Sequence, residues 1–220
     1  MNQTKNLAIF DLDGTLLDTI GDLACACNHM LAMRSLAPHT DEEYRTMVGN
    51  GITRLVERAL PEEFRTAEYV EKARLDFLEY YVGHIDQYTY PYLGIREVLH
   101  TLQEQGWALA VASNKFDAGT KQLVAKFFPD IEFGAIYGNR EGFPLKPDKA
   151  ILELIIEECG SSAERCYMIG DSAVDIQCAR NAGCCSVGCV WGFRSRDELE
   201  QVGTDLIVER PCDILKIVSR

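Results

Sequence analysis

Two aspartates, Asp11 and Asp13, directly follow the apolar run Leu7–Phe10 within the segment DLDGTLLD. A second acidic pair, Asp171 and Asp175, follows the apolar segment CYMIG, the two residues one helical turn apart. Between these pairs stand Ser113 and Asn114, at the end of another apolar run, and Lys146, which precedes Pro147. If each run is a strand of one parallel sheet, the residues after the strands gather at the edge where such sheets bind ligands. Four acids, one lysine and two hydroxyls, Thr15 and Ser113, would then converge. Carboxylates ~4 Å apart repel by roughly 4 kcal/mol per pair at an effective dielectric of ~20. A cation must neutralise them, and hard oxygen donors with a hydrated opening favour Mg2+.

The elements that must position these groups follow from periodicity. From Asp11 to about Gln87 the pattern is helical and holds no convincing strand. Ile20, Leu23, Ala24, Cys27, Met30 and Leu31 share one helix face. Thr40 and Glu43 have capping-box spacing for a second helix that stops at Gly49. Ile52–Leu60 and Val70–Tyr81 supply a third and a fourth amphipathic segment. Beyond TYPYLG, helices near 95–105, 118–128, 148–159 and 173–182 alternate with strands at 107–112, 135–137, 166–170 and 184–190. Ser195 and Glu198 cap a short helix, and Leu206–Val208 is a last strand. Alternation of this kind means crossover connections and a parallel sheet covered on both faces. The expected fold class is α/β: a Rossmann-like core (1–18 and 88–220) with an all-helical cap (19–87) inserted after the first strand.

Composition bounds the partners. Of 220 residues, 22 are Lys or Arg and 34 are Asp or Glu, a formal charge of −12 that disfavours nucleic acid and acidic membranes. The longest apolar stretch, Trp107–Ala112, is far short of a spanning helix, and the N-terminal segment lacks the pattern of a signal peptide. Nine cysteines without a C-x-x-C pair read as small core residues of a cytoplasmic protein, expected to be a monomer or homodimer.

DLDGTLLD, the strand-terminal Ser113, the Lys146–Pro147 pair and GDSAVD stand in the order and at the strand ends of the haloacid dehalogenase superfamily. The resemblance covers nearly the whole chain, the helical cap included, and implies phosphoryl transfer with the first aspartate as nucleophile. Asp11 can attack phosphorus in line, and the aspartyl-phosphate splits one hard hydrolysis into two easier steps. Asp13 can protonate the leaving oxygen and later take a proton from water. Gly14 permits the tight turn, Thr15 and Ser113 can donate to phosphoryl oxygens, and Asn114 can position the ligand. Lys146 offsets the charge of Asp11 and of the phosphoryl group. The metal set is Asp11, Asp171 and, by the resemblance, the backbone carbonyl of Asp13. Asp175 is grouped with it as a residue that orients a metal-bound water or Lys146. Asp18 fits either the family's first motif or a cap of the first helix. Many relatives carry a second proline two residues after the lysine–proline pair. Here that position is Lys149, an added cation near the site.

Residue types also prune the superfamily. Its dehalogenases lack an acid two residues after the nucleophile, and its phosphonoacetaldehyde hydrolases need a cap lysine, yet none lies between Lys5 and Lys72. Phosphatase, pyrophosphatase and sugar-phosphate mutase remain, all acting on a small phosphorylated metabolite. The segments VGNGITRLVERAL, SNK and VWGFRS resemble those of the phosphoglycolate phosphatase branch. Gly49 and Gly51 flank the start of the third cap helix, where free N–H groups suit a carboxylate that Arg54 could clamp. The same residues equally fit a plain interhelical turn with a solvated arginine. A phospho-accepting receiver module is the alternative of another class, but its phosphoacceptor follows the third strand and it has no cap.

Overall fold

Leu7–Phe10 forms β1, whose four side chains are all buried. Successive residues point to opposite faces, and each face meets its own apolar layer. Ala8 and Phe10 join one cluster, Leu7 and Ile9 another. The protein is described over residues 5–218 by a computed structural model. Its further strands are β2 (Leu17–Asp18), β3 (Tyr90–Pro91), β4 (Ala108–Phe116), β5 (Ala135–Asn139), β6 (Cys166–Gly170), β7 (Cys185–Cys189) and β8 (Leu206–Val208). The helices are α1 (Ile20–Ala32), α2 (Asp41–Met47), α3 (Ile52–Ala59), α4 (Ala67–Tyr81), α5 (Ile95–Glu104), α6 (Asp117–Phe127), α7 (Ala150–Glu158), α8 (Ala173–Ala182), α9 (Arg196–Gln201) and α10 (Ile214–Val218).

Six strands form one parallel sheet in the order β5-β4-β1-β6-β7-β8. Helices α5 and α6 cover one face through Val98, Leu99, Leu123 and Val124. Helices α7 and α8 cover the other through Ile151, Leu152, Ile155 and Cys178. The chain leaves β1 toward β4 and leaves β6 toward β7, in opposite directions. The crevice between the carboxyl ends of β1 and β6 is therefore the switch point where α/β sheets bind ligands. Register fixes what stands there: Phe10 pairs with Val111 on one side and Ile169 on the other. Asp11, Ala112 and Gly170 are thereby the first residues past a common level. No helix among the described residues is long and apolar enough to cross a membrane.

Three expectations need correction. The stretch before Gln87 was expected to hold no strand, but Leu17–Asp18 pairs antiparallel with Tyr90–Pro91 and brings the chain's exit from the sheet beside its return. A two-residue ladder carries too little alternation to be visible in a sequence. The strand expected to end at Ala112 runs on to Phe116, with a shift of register between Ala112 and Phe116. Helix α7 starts at Ala150, two residues later than expected, and the Asp148 carboxylate accepts from the Ala150 N–H at 2.9 Å. The expected capping box of α2 is present, with Thr40 and Glu43 exchanging bonds.

Candidate active site

Asp11 follows β1 and is buried at the floor of a cavity between the sheet and helices α1–α4. Its Oδ1 accepts from Lys146 Nζ at 2.8 Å. The same ammonium donates to Ala112 O at 2.7 Å and to Asp175 Oδ1 at 2.6 Å, so all three N–H bonds are engaged. Lys146 is aimed this way by its own backbone. Its N–H donates to Asn114 Oδ1 at 2.8 Å, and Asn114 Nδ2 returns a bond to Lys146 O at 3.1 Å. A further bond from Asn114 Nδ2 reaches Gly49 O at 3.2 Å, in the loop before α3. One amide thus ties the strand end, the lysine loop and the helical layer together.

Asp171, the first residue after β6, accepts from the Phe193 N–H at 2.6 Å. It is hemmed in by glycines. A Cβ on Gly14 would stand 2.3 Å from Asp171 Oδ2, and one on Gly192 would stand 2.3 Å from Asp171 Cβ. Asp175 is fully buried in the first turn of α8, where its Oδ2 accepts from Ser172 N (3.1 Å) and Ser172 Oγ (2.6 Å). Gly170 leaves the space this carboxylate fills, since a Cβ there would lie 2.3 Å from Asp175 Cβ.

The electrostatics follow from this crowding. Burial, with Asp175 and Asp13 nearby, raises the Asp11 carboxyl to about 7 even against the lowering effect of Lys146. Burial and the negative charges of Asp175 and Asp11 push Asp171 well above the usual carboxylate range. Burial works against the charge on Lys146, but Asp11 and Asp175 outweigh it and hold the ammonium above its ordinary value. Oxygens of Asp11, Asp171 and Asp175 lie within 4.8 Å of one another. Three buried carboxylates faced by one ammonium form an all-oxygen donor set with surplus negative charge, which fits a hard divalent cation.

Most of the residues singled out from the sequence come together. Asp11, Asp13, Ser113, Asn114, Lys146, Asp171, Gly49 and Gly51 all border the cavity, and Asp175 lies directly behind it. Others do not join them. The Thr15 hydroxyl is buried without a hydrogen-bond partner among the described residues and does not line the cavity; Trp191 Nε1 donates to Thr15 O at 3.1 Å. Arg54, expected as a carboxylate clamp, is 63% exposed and paired with Glu57 at 2.5 Å. It borders an outer groove that adjoins the cavity, sharing Gly51, Ile52 and Lys146 with it. Asp18 acts as a local cap, accepting from Ile20 N at 3.2 Å. Lys149 is half exposed and engaged with Glu153 at 2.8 Å, so it adds no charge inside the site.

Four cavity residues escaped the sequence reading as participants: Lys115, Tyr81, Phe193 and Arg194. Lys115 Nζ donates to Asp13 Oδ1 at 3.1 Å and to the Tyr81 hydroxyl. Arg194 Nη2 donates to Val48 O at 2.6 Å, and its Nη1 to Arg45 O, closing the open end of α2 from the core side. Strand parity offered a signal for Lys115. Two residues after Ser113 in a continued β4, it belongs on the same face.

Comparison with known proteins agrees with this geometry. Residues 8–189 match the family of haloacid dehalogenase-like hydrolases. A phosphoglycolate phosphatase of Pectobacterium atrosepticum is 34% identical over 96% of this chain and 91% of its own. One from Agrobacterium fabrum is 38% identical over 97% of this chain and 94% of its own. A crystal structure from Lactobacillus delbrueckii subsp. bulgaricus, provisionally named phosphoglycolate phosphatase, superposes with a TM-score of 0.92 at 30% identity, covering 98% of this chain and 99% of the other.

Proposed function

Because the chain belongs to the haloacid dehalogenase-like hydrolases, we propose that it hydrolyses a phosphate monoester through Asp11, with 2-phosphoglycolate as substrate. One observation carries the reaction: a buried carboxylate at a strand end, held on one oxygen by Lys146, with the Asp13 side chain beside the same cavity. Asp11 forms the bond to phosphorus as the ester P–O bond breaks, and Asp13 gives its proton to the departing oxygen. Water then attacks the aspartyl-phosphate, its proton passes to Asp13, and phosphate and free Asp11 are restored. Lys146 favours the ionised nucleophile and offsets charge on the phosphoryl oxygens. Ser113 and Asn114 supply donors at the cavity wall. Asp11 and Asp171 would hold the divalent cation, which the all-oxygen set favours as Mg2+, with Asp175 fixing Lys146 behind them. When bound, that ion neutralises negative charge at the phosphoryl group.

Residues 19–87 act in this reading as a cap that closes over the leaving group on the core of residues 1–18 and 88–220. The phosphoglycolate assignment is supported by the relatives named above and by the small cavity, of about 40 Å3. It is tested on the purified protein with magnesium by comparing kcat/KM for phosphoglycolate, ethyl phosphate, hexose phosphates and pyrophosphate. Loss of a charge-assisted hydrogen bond costs roughly 1.5–3 kcal/mol, so phosphoglycolate should lead ethyl phosphate by about ten- to a hundredfold. Preference for pyrophosphate or a hexose phosphate would remove the substrate assignment and leave the family untouched.

A further inference from the structure

The proposed substrate carries a second anion, its carboxylate, and the residue expected to bind it, Arg54, lies outside the cavity. Apart from Tyr81 and the Gly49–Gly51 loop, the roof supplied by the helical layer is apolar, formed by Leu23, Val48, Ile52 and Leu55. Three cations border the cavity. Lys146 has all three N–H bonds committed to Asp11, Ala112 and Asp175. Arg194 is drawn toward the backbone carbonyls of Arg45 and Val48 and toward Glu198. Lys115 differs. Its side chain is 2% exposed, and among the described residues two of its three N–H bonds are taken, by Asp13 Oδ1 and the Tyr81 hydroxyl.

Burying an ammonium costs several kcal/mol unless partners offset it. Here the compensation is one carboxylate oxygen of the core and one neutral phenol from α4. The seat is stiff, joins the two layers and leaves one donor uncommitted inside the cavity. We infer that Lys115, steadied by Tyr81, is the specificity residue that receives the second anion of a short phosphorylated carboxylic acid. This assignment rests on the phosphatase reading above and deepens it.

Position gives the inference its chain-length content. Asp13 protonates the leaving oxygen, so that oxygen sits one hydrogen bond from the Asp13 carboxylate. Lys115 Nζ also sits one hydrogen bond from Asp13, at 3.1 Å. A carboxylate separated from the ester oxygen by a single carbon reaches the free N–H while the ester stays on Asp13. A chain two carbons longer must buckle against Leu23 and Leu55 or pull its ester away from the acid.

The test compares kcat/KM for phosphoglycolate, ethyl phosphate and 4-phosphooxybutanoate on the wild type, Lys115→Met and Lys115→Arg, each checked for folding by its thermal melt. The preference for phosphoglycolate over ethyl phosphate should fall at least about tenfold in Lys115→Met and be partly restored in Lys115→Arg. A residue that only props up the fold would lower both substrates together and leave their ratio unchanged; that result overturns the assignment. Should Lys115→Met not fold, the wild type still decides: phosphoglycolate must exceed 4-phosphooxybutanoate by at least about tenfold, and equal rates overturn it. A wild type with no preference for phosphoglycolate over ethyl phosphate removes the substrate reading itself. A wild type with that preference, unaltered in Lys115→Met, removes Lys115 alone.

Discussion

Asp11 is the residue on which the chemistry turns, and its replacement separates chemistry from folding. Asparagine is nearly isosteric and keeps an oxygen for Lys146, but it cannot form the acyl-phosphate. Asp11→Asn should lower kcat for an aryl phosphate by at least about a thousandfold while the melting transition persists; a variant retaining a tenth of the activity would exclude Asp11 as nucleophile. Gly192 makes a second test at this scale. A methyl there would meet Asp171 Cβ at 2.3 Å and Gly14 O at 2.4 Å, neither of which is the tip of a flexible side chain. Gly192→Ala should cost about 1–3 kcal/mol in urea denaturation, and unchanged stability would mean that this loop can leave Asp171 freely. Asp11, Asp13, Ser113 and Asp171 were legible because each directly follows an apolar run of one parallel sheet, and Lys146 because it precedes a proline before the next helix. Arg194 was not legible, because its role depends on carbonyls 146 and 149 residues earlier in the chain. Arg54 shows a related limit: proximity to the Gly49–Gly51 loop does not decide whether a side chain of α3 lines the cavity or the groove adjoining it.

At the scale of elements, Asp22 in α1 joins the outgoing and returning segments of the helical layer. Its carboxylate accepts from Tyr88 N at 2.9 Å and from Thr89 Oγ1 at 2.7 Å, and both Asp22 and Thr89 are buried. Asp22→Ala should therefore cost about 1–3 kcal/mol, the penalty of leaving buried donors unpaired, as read by chemical denaturation. Thr40→Ala removes the capping box of α2 and should cost about 1 kcal/mol by the same measurement. A loss as large as that of Asp22→Ala would show that Thr40 does more than cap. The box was visible in the sequence because its two members are three residues apart. The Asp22 bridge and the β2–β3 ribbon span more than sixty residues, and no local pattern announces them. Helix boundaries were recovered to within a few residues wherever a cap or glycine marked them, as at Thr40 and Gly183. The strand end at Ala112 was not, since the polar run Ser113–Lys115 reads as loop although it continues β4 through an irregular register.

Across the whole molecule, the buried carboxylates make stability depend on pH and on cations together. Asp11 is raised from the ordinary carboxylate value to about 7, and Asp171 is raised well above its own. Between about pH 4, where unfolded carboxyls titrate, and the folded values, the native state holds protons that the unfolded chain has lost. The unfolded state then binds fewer protons, so stability falls as pH rises. The contribution is fully present below the unfolded value and is lost as pH passes the folded one, near 7 for Asp11. In chelator, the melting temperature should consequently decline from about pH 5.5 to about pH 8 by more than the surface charge alone produces, and Asp171→Asn should flatten that decline. Saturating magnesium should oppose it, because a cation on Asp11 and Asp171 favours the deprotonated groups that acid would otherwise neutralise. The magnesium-induced rise in melting temperature should thus be several degrees larger at about pH 8 than at about pH 5.5. Equal rises at both pH values, or a rise that survives intact in Asp171→Asn, would show that the ion acts on the exposed acids of this −12 surface and not on the buried cluster.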